Sequence, residues 1–465
     1  MPNTLTRSTP APKPGIVHLG LGAFFRAHGA IYVAEAVATS GGDWGILGAS
    51  LQSPRIHDDL APQGFAYTAL QAGPGGDHAQ TIEILTGILV ARANPAALLR
   101  AMSDPTIKIV SLTVTEKGYC HNPADGTLNL SDPTIQHDLT NPLPQSAPGF
   151  ITRALQARRA AGHRPFTVLS CDNLPHNGTL TRNVVLSLAR QIDPALADWI
   201  ASEARFPATM VDRIVPATKP DDLTRVTALT GHHDASPVIH EPFRQWVIED
   251  DFVDNARPDL AAAGVQLVRD VAPFELMKLR MLNGTHSALA YLGYLAGHDT
   301  IADTVADPVF ARYAQHLWTH EIIPTLTPPE NTDLNDYAQQ LLHRYQNPAI
   351  RHRTWQIAMD GSQKLPQRIL GTLAHGPKPG LTLAVAAWIK YVSGTDLNGQ
   401  PIDVRDPLAA DLRAAHATPD PVDAILSDRR IFTAAIAAQL AQPVGQAYNA
   451  LNKGANAAIL ETMND

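Results

Sequence analysis

One stretch of the sequence carries a lysine, an asparagine and a histidine among apolar residues. Lys278, Asn283 and His286 lie in the segment FELMKLRMLNGTH, which begins at Phe274. At about 100° per residue, an α-helix would place these side chains within an arc of roughly 140°. The leucines and methionines between them spread around the whole circumference, which is typical of a helix enclosed by protein. Because apolar surroundings disfavour a charged lysine, its pKa should fall toward neutrality, and Lys278 becomes a candidate general acid or base.

Glu275 lies three residues before Lys278 and falls within the same arc of the predicted helix. A buried lysine and glutamate three residues apart on a helix often form only a structural ion pair that has no part in chemistry. The other interpretation is that Lys278 acts as a general acid or base. The segment by itself leaves both interpretations open.

The N-terminal region predicts a strand, a glycine turn and a helix. Residues 16–19 are apolar and precede Gly20-Leu-Gly22, and residues 27–38 have the pattern of a helix. In the fingerprint G-x-G-x-x-G, the first glycine makes the tight turn and the second lets the backbone approach a pyrophosphate at the helix N-terminus. Phe25 stands where the third glycine is expected. An ordinary strand-to-helix turn remains the alternative.

A second predicted strand, at residues 46–51, ends where a dinucleotide fold places the group that reads the ribose. The end of this strand and the loop after it hold Ser50, Gln52, Ser53 and Arg55 rather than an acid. The carboxylate that favours NAD over NADP is therefore missing from this loop, and the sequence leaves the choice of cofactor open.

The first half of the chain alternates predicted strands with predicted helices. Further strands are expected at residues 81–85, 107–115 and 166–170, and further helices at residues 95–102 and 148–161. Such alternation predicts a mainly parallel sheet with helices on both faces.

Ligand-facing residues in these sheets follow the carboxyl ends of strands. Residues 113–119 and 170–178 are such loops, although Asp172 in the second loop has the alternative of a mere helix cap. Asn177 and Gly178 could likewise form an ordinary turn. Asp212 and Arg213 end another apolar run, for which a surface salt bridge is the simpler interpretation.

Composition limits the class of protein. A chain of 465 residues suggests two large domains, and 45% hydrophobic residues with a net charge of −8 predict a soluble, mildly acidic protein that does not bind nucleic acid. We expect a cytoplasmic location without membrane attachment, because neither a leader pattern nor an apolar run of roughly 18 residues is present. The two cysteines and the scattered histidines predict neither a disulfide framework nor a metal site.

Six separated motifs resemble the mannitol dehydrogenase family of polyol-specific long-chain dehydrogenases/reductases, in the family's order and over nearly the whole chain. They are Gly20-Leu-Gly22-Ala-Phe24-Phe25-Arg26-Ala-His28, residues 113–119, Cys171-Asp-Asn173-Leu, residues 211–214, residues 241–246 and Lys278-x4-Asn283-x2-His286. The resemblance implies an α/β fold with a Rossmann-like nucleotide-binding domain at residues 1–272. It implies a mostly α-helical substrate domain at residues 273–465, where helices are also predicted at 308–321, 334–344, 381–391 and 421–428.

The resemblance also implies roles for individual residues. Lys278 would be the general base in oxidation and the general acid in reduction, and Asn173 and Asn283 would donate hydrogen bonds to the reacting oxygen. His286 would contact a substrate hydroxyl, Glu275 would be a gate or proton-relay acid, and Asp212 would orient substrate or lysine. The expected cofactor is NAD, with NADP still open, and the predicted cofactor-binding residues are Gly20, Gly22, Phe24, Phe25, Arg26, Ser50, Thr115, Glu116 and Lys117. The family resemblance favours a monomer.

The substrate depends on whether the site can hold a carboxylate. An arginine or lysine is suited to that task, whereas a polyol offers only hydroxyls. Arg353, Lys364 and Arg368 concentrate positive charge in one segment and are predicted to bind substrate. Residues 360–368 resemble the fructuronate reductase branch of the family as well as its mannitol 2-dehydrogenases, and with these cations the resemblance favours reduction of fructuronate over oxidation of mannitol or arabinitol. A catalytically inactive nucleotide-binding sensor is a third possibility, against which the retained Lys278 argues.

Overall fold

The computed structural model describes residues 2–123 and 125–464. The chain divides into two compact units, Met1–Ala272 and Pro273–Asp465, called here the first unit and the second unit. That the first unit binds the nucleotide and the second unit binds the substrate remains a prediction.

All strands of the described residues belong to the first unit. They are β1 (Asn3–Thr4), β2 (Pro14–Leu19), β3 (Gly45–Ser50), β4 (Tyr67–Gly73), β5 (Gly76–Ile82), β6 (Leu85–Val90), β7 (Ile109–Leu112), β8 (Thr167–Ser170), β9 (Thr209–Asp212), β10 (His232–His233), β11 (Val238–His240), β12 (Gln245–Glu249) and β13 (Gln266–Val268).

Five strands form the central sheet in the order β6-β3-β2-β7-β8, and every neighbouring pair is parallel. Successive residues of a strand face opposite sides. On β2, Ile16 accordingly packs into one apolar core while Val17 and Leu19 pack into another, so the sheet is buried on both faces. Numbered within this sheet, the order is 3-2-1-4-5, which matches the first five positions of the Rossmann order 3-2-1-4-5-6, and the predicted Rossmann-like α/β fold is confirmed.

The helices of the first unit connect these strands. They are α1 (Ala23–Ala27), α2 (Gly29–Ser40), α3 (Arg55–Leu60), α4 (Pro95–Ser103), α5 (Pro133–Thr140), α6 (Ala147–Ala160), α7 (Asn177–Ile192), α8 (Pro194–Glu203) and α9 (Pro220–Thr230). Local chemistry starts several of them: Asn94 and Ser146 accept a backbone N–H at the beginnings of α4 and α6, where proline follows at the first turn. The helix predicted at 27–38 is interrupted at His28, which separates α1 from α2.

The strand predicted at residues 81–85 is wrong in its boundaries. Residues 76–82 form β5, which pairs antiparallel with β4 in a separate sheet, and β6 at residues 85–90 supplies the central sheet instead. Ile82, Ile84 and Leu85 are apolar, and only Glu83 separates them, so the pattern could not show where one strand ends and the next begins. Two smaller sheets have the orders β11-β4-β5 and β13-β12-β9.

The second unit is built of helices, as predicted. They are α10 (Ala272–Met277), α11 (Thr285–Leu295), α12 (Ile301–Ala306), α13 (Pro308–His316), α14 (Leu334–Tyr345), α15 (Thr354–Ala358), α16 (Gly361–Leu365), α17 (Gly371–Leu373), α18 (Pro379–Tyr391), α19 (Ala409–His416), α20 (Pro421–Leu426), α21 (Ala434–Ala450) and α22 (Ala455–Asn464). Nearly all of α11 and α18 is buried, and these two helices pack together at the centre of the unit.

Three segments of the second unit are π-helical: Lys278–Gly284, Leu317–Ile322 and Pro366–Leu370. The α-helical geometry assumed for the Lys278 segment is therefore wrong. Hydrogen bonding from i to i+5 widens each turn, so Lys278 and Asn283, five residues apart, lie about one turn apart instead of roughly 140° around the axis. Complete enclosure is also wrong, because Leu276 is 36% exposed.

Side chains from two other elements donate hydrogen bonds to the π-helical segment. The Nε1 of Trp318 donates to the carbonyl of Met281 at 2.9 Å, and the hydroxyl of Tyr345 donates to the carbonyl of Leu282 at 2.8 Å. These bonds satisfy backbone carbonyls in a stretch where the regular α-helical ladder is interrupted. The unusual geometry is thus fixed by buried aromatic residues.

Candidate active site

Gly20 makes the turn that follows β2. Its φ of +85° is unfavourable for a residue with a side chain, and an added Cβ would lie 2.3 Å from the carbonyl oxygen of Thr113. Its N–H donates to the carbonyl of Ala49 at 2.8 Å. The turn therefore lies between the ends of β3 and β7, at the point where the strand order reverses and ligands bind in open α/β sheets.

Gly22 precedes α1 and leaves its surroundings open. The nearest atom to an added Cβ would be the carbonyl oxygen of Gly20 at 3.8 Å. The backbone at the start of α1 can therefore be approached closely by a phosphate group, as the fingerprint requires.

Phe25 lies in the core rather than at this turn. It is 2% exposed, and its ring stacks on that of His18 with 3.3 Å between centroids. An added Cβ at Gly29 would lie 2.5 Å from the Phe25 ring, so Gly29 provides the space that this large side chain needs. The Phe25 ring thus fills the space between α1 and β2, and Gly29, which the sequence prediction does not include, leaves room for that ring.

Arg26 is also bound inside the first unit. Its guanidinium donates to the backbone and hydroxyl oxygens of Ser236 and lies 5.3 Å from the ring centre of Tyr67, whose hydroxyl donates to the Arg26 carbonyl. Phe24 is half-buried with its ring stacked on His28. Among the described residues, the contacts of Arg26 are those of a structural residue, so its predicted contact with cofactor remains a prediction.

His18 is a buried histidine that motif analysis did not select. Its ring nitrogens lie 2.9 Å from the hydroxyls of Ser111 and Thr113, and the Thr113 hydroxyl donates to the carbonyl of Gly20 at 2.8 Å. Burial lowers the pKa of His18 to about 3, so the ring is neutral at physiological pH. It ties β2 to β7 directly beneath the glycine turn.

Asp172 connects the loops that follow β7 and β8. Its carboxylate accepts the backbone N–H groups of Val114 at 2.9 Å and Thr115 at 3.1 Å, and the hydroxyl of Tyr119 at 2.7 Å. Burial is the main cause that raises the pKa of Asp172. No side chain caps the start of α7, so the alternative of Asp172 as a helix cap is wrong.

Asn177 and Gly178 are more than an ordinary turn. The amide of Asn177 is buried and exchanges hydrogen bonds with the backbone of Thr209 at 2.9 and 3.0 Å. A Cβ on Gly178 would lie 2.5 Å from the carbonyl oxygen of Phe206. Both residues fix the start of α7 against β9, and the neighbouring Asn173 is exposed in the loop between β8 and α7.

Asp212 is the last residue of β9 and is buried, as is Arg213 beside it. The guanidinium of Arg213 donates to the backbone carbonyls of Ala27 and Glu241. The simpler interpretation of these two residues as a surface salt bridge is therefore wrong.

A cavity of about 570 Å³ lies beyond the ends of β3 and β6. Leu51, Gln52, Ala91 and Arg92 line it, and none of its described lining residues is acidic. Ser50, at the end of β3, donates its hydroxyl to the carbonyl of Ser53. Glu116 and Lys117 are exposed in the loop after β7. The cavity is on the side of the glycine turn where a dinucleotide fold places adenosine.

In the second unit, Lys278 begins the π-helical segment and is 7% exposed, and Asn283 lies one turn later and is half-buried. Glu275 is half-buried in α10. The predicted acid/base and oxygen-binding residues of this unit therefore share one short element whose backbone is fixed by Trp318 and Tyr345.

His286 follows on α11 in a wholly buried setting. Its ring stacks on Tyr345 at 5.0 Å between centroids and meets the edge of His352 at 4.7 Å. Burial, with the positive groups around it, holds the pKa of His286 well below its usual value. Its Nε2 is buried and has no hydrogen-bond partner among the described residues. A buried polar atom without a partner is uncommon, and ligand binding is one explanation.

Four basic residues act on His286 electrostatically, and we call them the basic cluster: Arg344, His352, Lys364 and Arg368. Lys364 donates to the carbonyl of Met359 at 2.6 Å and lies 3.8 Å from Asp360, while Arg368 donates to the hydroxyl of Ser287 at 3.1 Å. Burial lowers the pKa of Lys364, of Arg368 and, to about 4, of His352.

The cluster only partly matches the sequence prediction. Lys364 and Arg368 were predicted, whereas Arg353 is exposed where α15 begins and is not among the groups that lower the pKa of His286. Arg344 and His352 were missed. Arg344 stands on the buried face of the amphipathic helix α14, which was the one available signal. Nothing in the sequence distinguishes His352 from its neighbours.

Among the described residues, no group of three or more His, Cys, Asp or Glu side chains is arranged to hold a metal ion. No helix in the described part of the chain has the length and apolar character needed to cross a bilayer.

The parallel sheet with its glycine turn, followed by a helical unit with a buried lysine, defines a Rossmann-type oxidoreductase. Residues 14–262 match the mannitol dehydrogenase Rossmann domain, and residues 270–452 match the mannitol dehydrogenase C-terminal domain. The chain belongs to the mannitol dehydrogenase family, which confirms the resemblance read from its motifs.

The similar proteins include a D-mannonate oxidoreductase and mannitol 2-dehydrogenases. D-mannonate oxidoreductase of Escherichia coli (strain K12) is 48% identical over 430 residues, which cover 90% of this chain and 88% of the relative. Mannitol 2-dehydrogenase of Aspergillus fumigatus (strain CBS 144.89 / FGSC A1163 / CEA10) is 40% identical over 438 residues, 91% of this chain and 87% of the relative. The ternary complex of Pseudomonas fluorescens mannitol 2-dehydrogenase with NAD and D-mannitol is 37% identical, covers 100% of this chain and 98% of that one, and has a TM-score of 0.87.

Proposed function

We propose that this chain is an NAD-dependent oxidoreductase of C5 to C6 sugar derivatives, with reduction of fructuronate to mannonate as its favoured reaction. The observation that carries the choice of a sugar acid is the basic cluster around His286. Support for NAD comes from the glycine turn, from the cavity beyond β3 and β6, and from the NAD complex of the P. fluorescens relative.

The first unit fits the cofactor in two places. The open backbone at Gly22 would receive the pyrophosphate, and the cavity lined by Gln52 and Arg92 would receive the adenosine part. Nicotinamide supplies the hydride chemistry when it is bound.

Side chains of the protein would transfer the proton and stabilise the negative charge that develops on the substrate oxygen. Lys278 would give a proton to the carbonyl oxygen in reduction and take it back in oxidation. Asn173 and Asn283 would donate N–H groups to that oxygen, where negative charge develops and preorganised donors are most effective. Glu275 would pass protons to and from Lys278, and Asp212 would orient it.

The remaining substrate groups would meet the second unit. The neutral ring of His286 has a free Nε2 for a substrate hydroxyl. Lys364 and Arg368 would hold the carboxylate with charge-assisted hydrogen bonds. A neutral polyol would bring these half-buried cations no opposite charge in addition to Asp360, which lies 3.8 Å from Lys364. The 48% identity to a D-mannonate oxidoreductase agrees with the same choice.

Mannitol 2-dehydrogenase activity is the second candidate. It is favoured by the TM-score of 0.87 to a structure that holds D-mannitol, and by His286, which can bind a hydroxyl on either kind of substrate.

The deciding experiment measures absorbance of the nicotinamide band with fructuronate, tagaturonate and fructose in the presence of NADH or NADPH, and with mannitol and arabinitol in the presence of NAD. We expect the highest kcat/KM for fructuronate with NADH. A preference for fructose and mannitol would establish the second candidate, and absence of turnover with every substrate would indicate a nucleotide-binding protein without catalysis.

A further inference from the structure

A second charged cavity lies in the first unit, where two of the sequence motifs meet. Its volume is about 230 Å³, and Arg213 of one motif and Arg244 of the other both line it. We call it the Arg213 cavity. None of its described lining residues has a role in the proposed reaction, so the chemistry of these motifs needs another explanation.

The Arg213 guanidinium makes hydrogen bonds to the protein with only some of its N–H groups. Its Nη1 donates to the carbonyl of Ala27 at 2.7 Å and its Nε donates to that of Glu241 at 3.1 Å. Its Nη2 has no partner among the described residues. Burial lowers the pKa of Arg213 to about 10, which still leaves the group charged at neutral pH.

His240 faces the same cavity and is 4% exposed. Its Nδ1 donates to the carbonyl of Glu241 at 2.8 Å, which leaves Nε2 without a partner among the described residues. Burial, followed by the charges of Arg213 and Arg244, lowers the pKa of His240 to about 4. The ring therefore lies in a positive electrostatic field.

The small sheet supplies a row of polar side chains. His240 on β11 is the register partner of Gln71 on β4, and Gln71 is the register partner of His78 on β5. Register partners project from the same face of a sheet, and all three residues line the cavity. Hydrogen-bonding groups thus lie opposite the arginines.

The two arginines of the cavity differ in their partners. Glu35 is the one acidic residue among its described lining residues, and it makes a two-point ion pair with Arg244, whose guanidinium also lies 4.2 Å from the ring centre of Tyr32. Arg213 makes no such ion pair with a described lining residue, and the carboxylates of Glu241 and Glu35 act on it electrostatically. A buried guanidinium with an unused N–H direction is suited to a small anion.

We propose that the Arg213 cavity binds a small tetrahedral oxyanion of the phosphate type. Arg213 Nη2 provides the charge-assisted hydrogen bond, the amide of Gln71 donates an N–H, and Nε2 of the neutral His240 ring accepts the P–OH of a hydrogen phosphate. The anion bridges the β4–β5 sheet to Arg213. Because it binds only the folded protein, it stabilises the first unit by mass action.

Isothermal titration calorimetry and thermal unfolding of the full chain with sodium phosphate test this proposal, with sodium chloride at equal ionic strength as the reference. We expect saturable phosphate binding and an unfolding temperature that rises with phosphate concentration. Absence of saturable binding beyond the chloride reference would overturn the proposal, and acetate binding as tightly as phosphate would overturn the assignment to a tetrahedral anion.

Variants locate the site. Gln71→Glu places a carboxylate of nearly the same shape in the cavity and should weaken phosphate binding by at least about tenfold, roughly 1.4 kcal/mol. Gln191→Glu, an exposed position on α7, makes the same charge change outside the cavity and should bind like the unchanged protein.

One further variant changes a second residue of the cavity, and another changes a residue outside it. His240→Gln should also weaken phosphate binding and covers the case in which Gln71→Glu does not fold. Arg368→Leu should leave it unchanged, because the basic cluster of the second unit is a different anion site. Phosphate binding that neither cavity change weakens, or that disappears with Arg368→Leu, would refute the Arg213 cavity as the site.

Discussion

Asp172 holds Thr115 in a backbone conformation that threonine rarely adopts. Thr115 has φ +63° and ψ 167°, a region occupied almost entirely by glycine, while its N–H donates to the Asp172 carboxylate at 3.1 Å. Such a conformation costs about 1 to 3 kcal/mol and persists only where surrounding contacts impose it. Asp172 therefore sets the shape of the loop after β7, which we expect to face the cofactor.

Asp172→Asn should loosen this loop. An amide has one acceptor oxygen where the carboxylate has two, and its NH₂ would face a backbone N–H, so we expect a loss of about 1 to 3 kcal/mol in unfolding free energy. The KM for NADH should rise as well. Urea unfolding and initial-rate kinetics measure the two effects.

Thr115→Gly provides the matched test of strain. Glycine adopts the observed backbone angles freely, so the Asp172→Asn, Thr115→Gly double variant should recover part of the affinity for NADH that Asp172→Asn loses. If the double variant binds NADH as weakly as Asp172→Asn does, Asp172 does not act through the backbone conformation of Thr115.

Lys278→Ala should reduce turnover by at least about a hundredfold, within the range of general acid/base catalysis. Binding of NADH, followed by fluorescence, should be nearly unchanged, and small primary amines should restore part of the activity. Leu276→Ala, an exposed position on the preceding helix, is the control. Near-normal turnover without the lysine would mean that Lys278 is only a structural ion-pair partner.

Asn173→Ala and Asn283→Ala should each lower kcat more than they raise KM, because their hydrogen bonds to the reacting oxygen strengthen as charge develops. Loss of one such donor costs about 10² to 10³ in kcat in other enzymes. Steady-state kinetics separate the two constants. A change confined to KM would make these residues binding groups for the ground state.

The sequence was sufficient for the Rossmann-like sheet because its signals are local. Apolar strands at residues 16–19 and 46–51 and the Gly20 turn are visible within short windows, and the structure has strands at nearly the same positions. Their order in the sheet then follows from the fold that the glycine turn indicates.

The site was less accessible to prediction because it depends on distant packing. The π-helical geometry that places Asn283 near Lys278 is fixed by Trp318 and Tyr345, which lie in other helices. Likewise, His352 is set against His286 by the folding of a segment more than sixty residues away. No periodicity within the Lys278 segment could show either relationship.

The histidines should make stability depend on pH. Burial lowers the pKa of His352 to about 4, below the value of about 6.5 expected in the unfolded chain. The unfolded state then binds more protons between these values, so the unfolding free energy should rise with pH from about 4 to 6.5, by up to about 3 kcal/mol for this residue.

Urea unfolding between pH 4.5 and 7.5 measures that slope. His352→Gln should flatten it, whereas His320→Gln, at an exposed position, should leave it unchanged. A slope that is identical in both variants would show that His352 is not held neutral by the fold.

The choice between a sugar acid and a polyol depends on Arg368. If this half-buried arginine holds the substrate carboxylate, Arg368→Leu should weaken the use of fructuronate by about 2 to 3 kcal/mol, roughly 30- to 150-fold in kcat/KM, because a charge-assisted hydrogen bond is lost. Fructose and mannitol should lose much less. Arg353→Leu removes the same charge from an exposed position outside the basic cluster and should affect fructuronate only slightly. Equal losses for charged and neutral substrates would mean that Arg368 supports the pocket through Ser287 and does not bind the carboxylate.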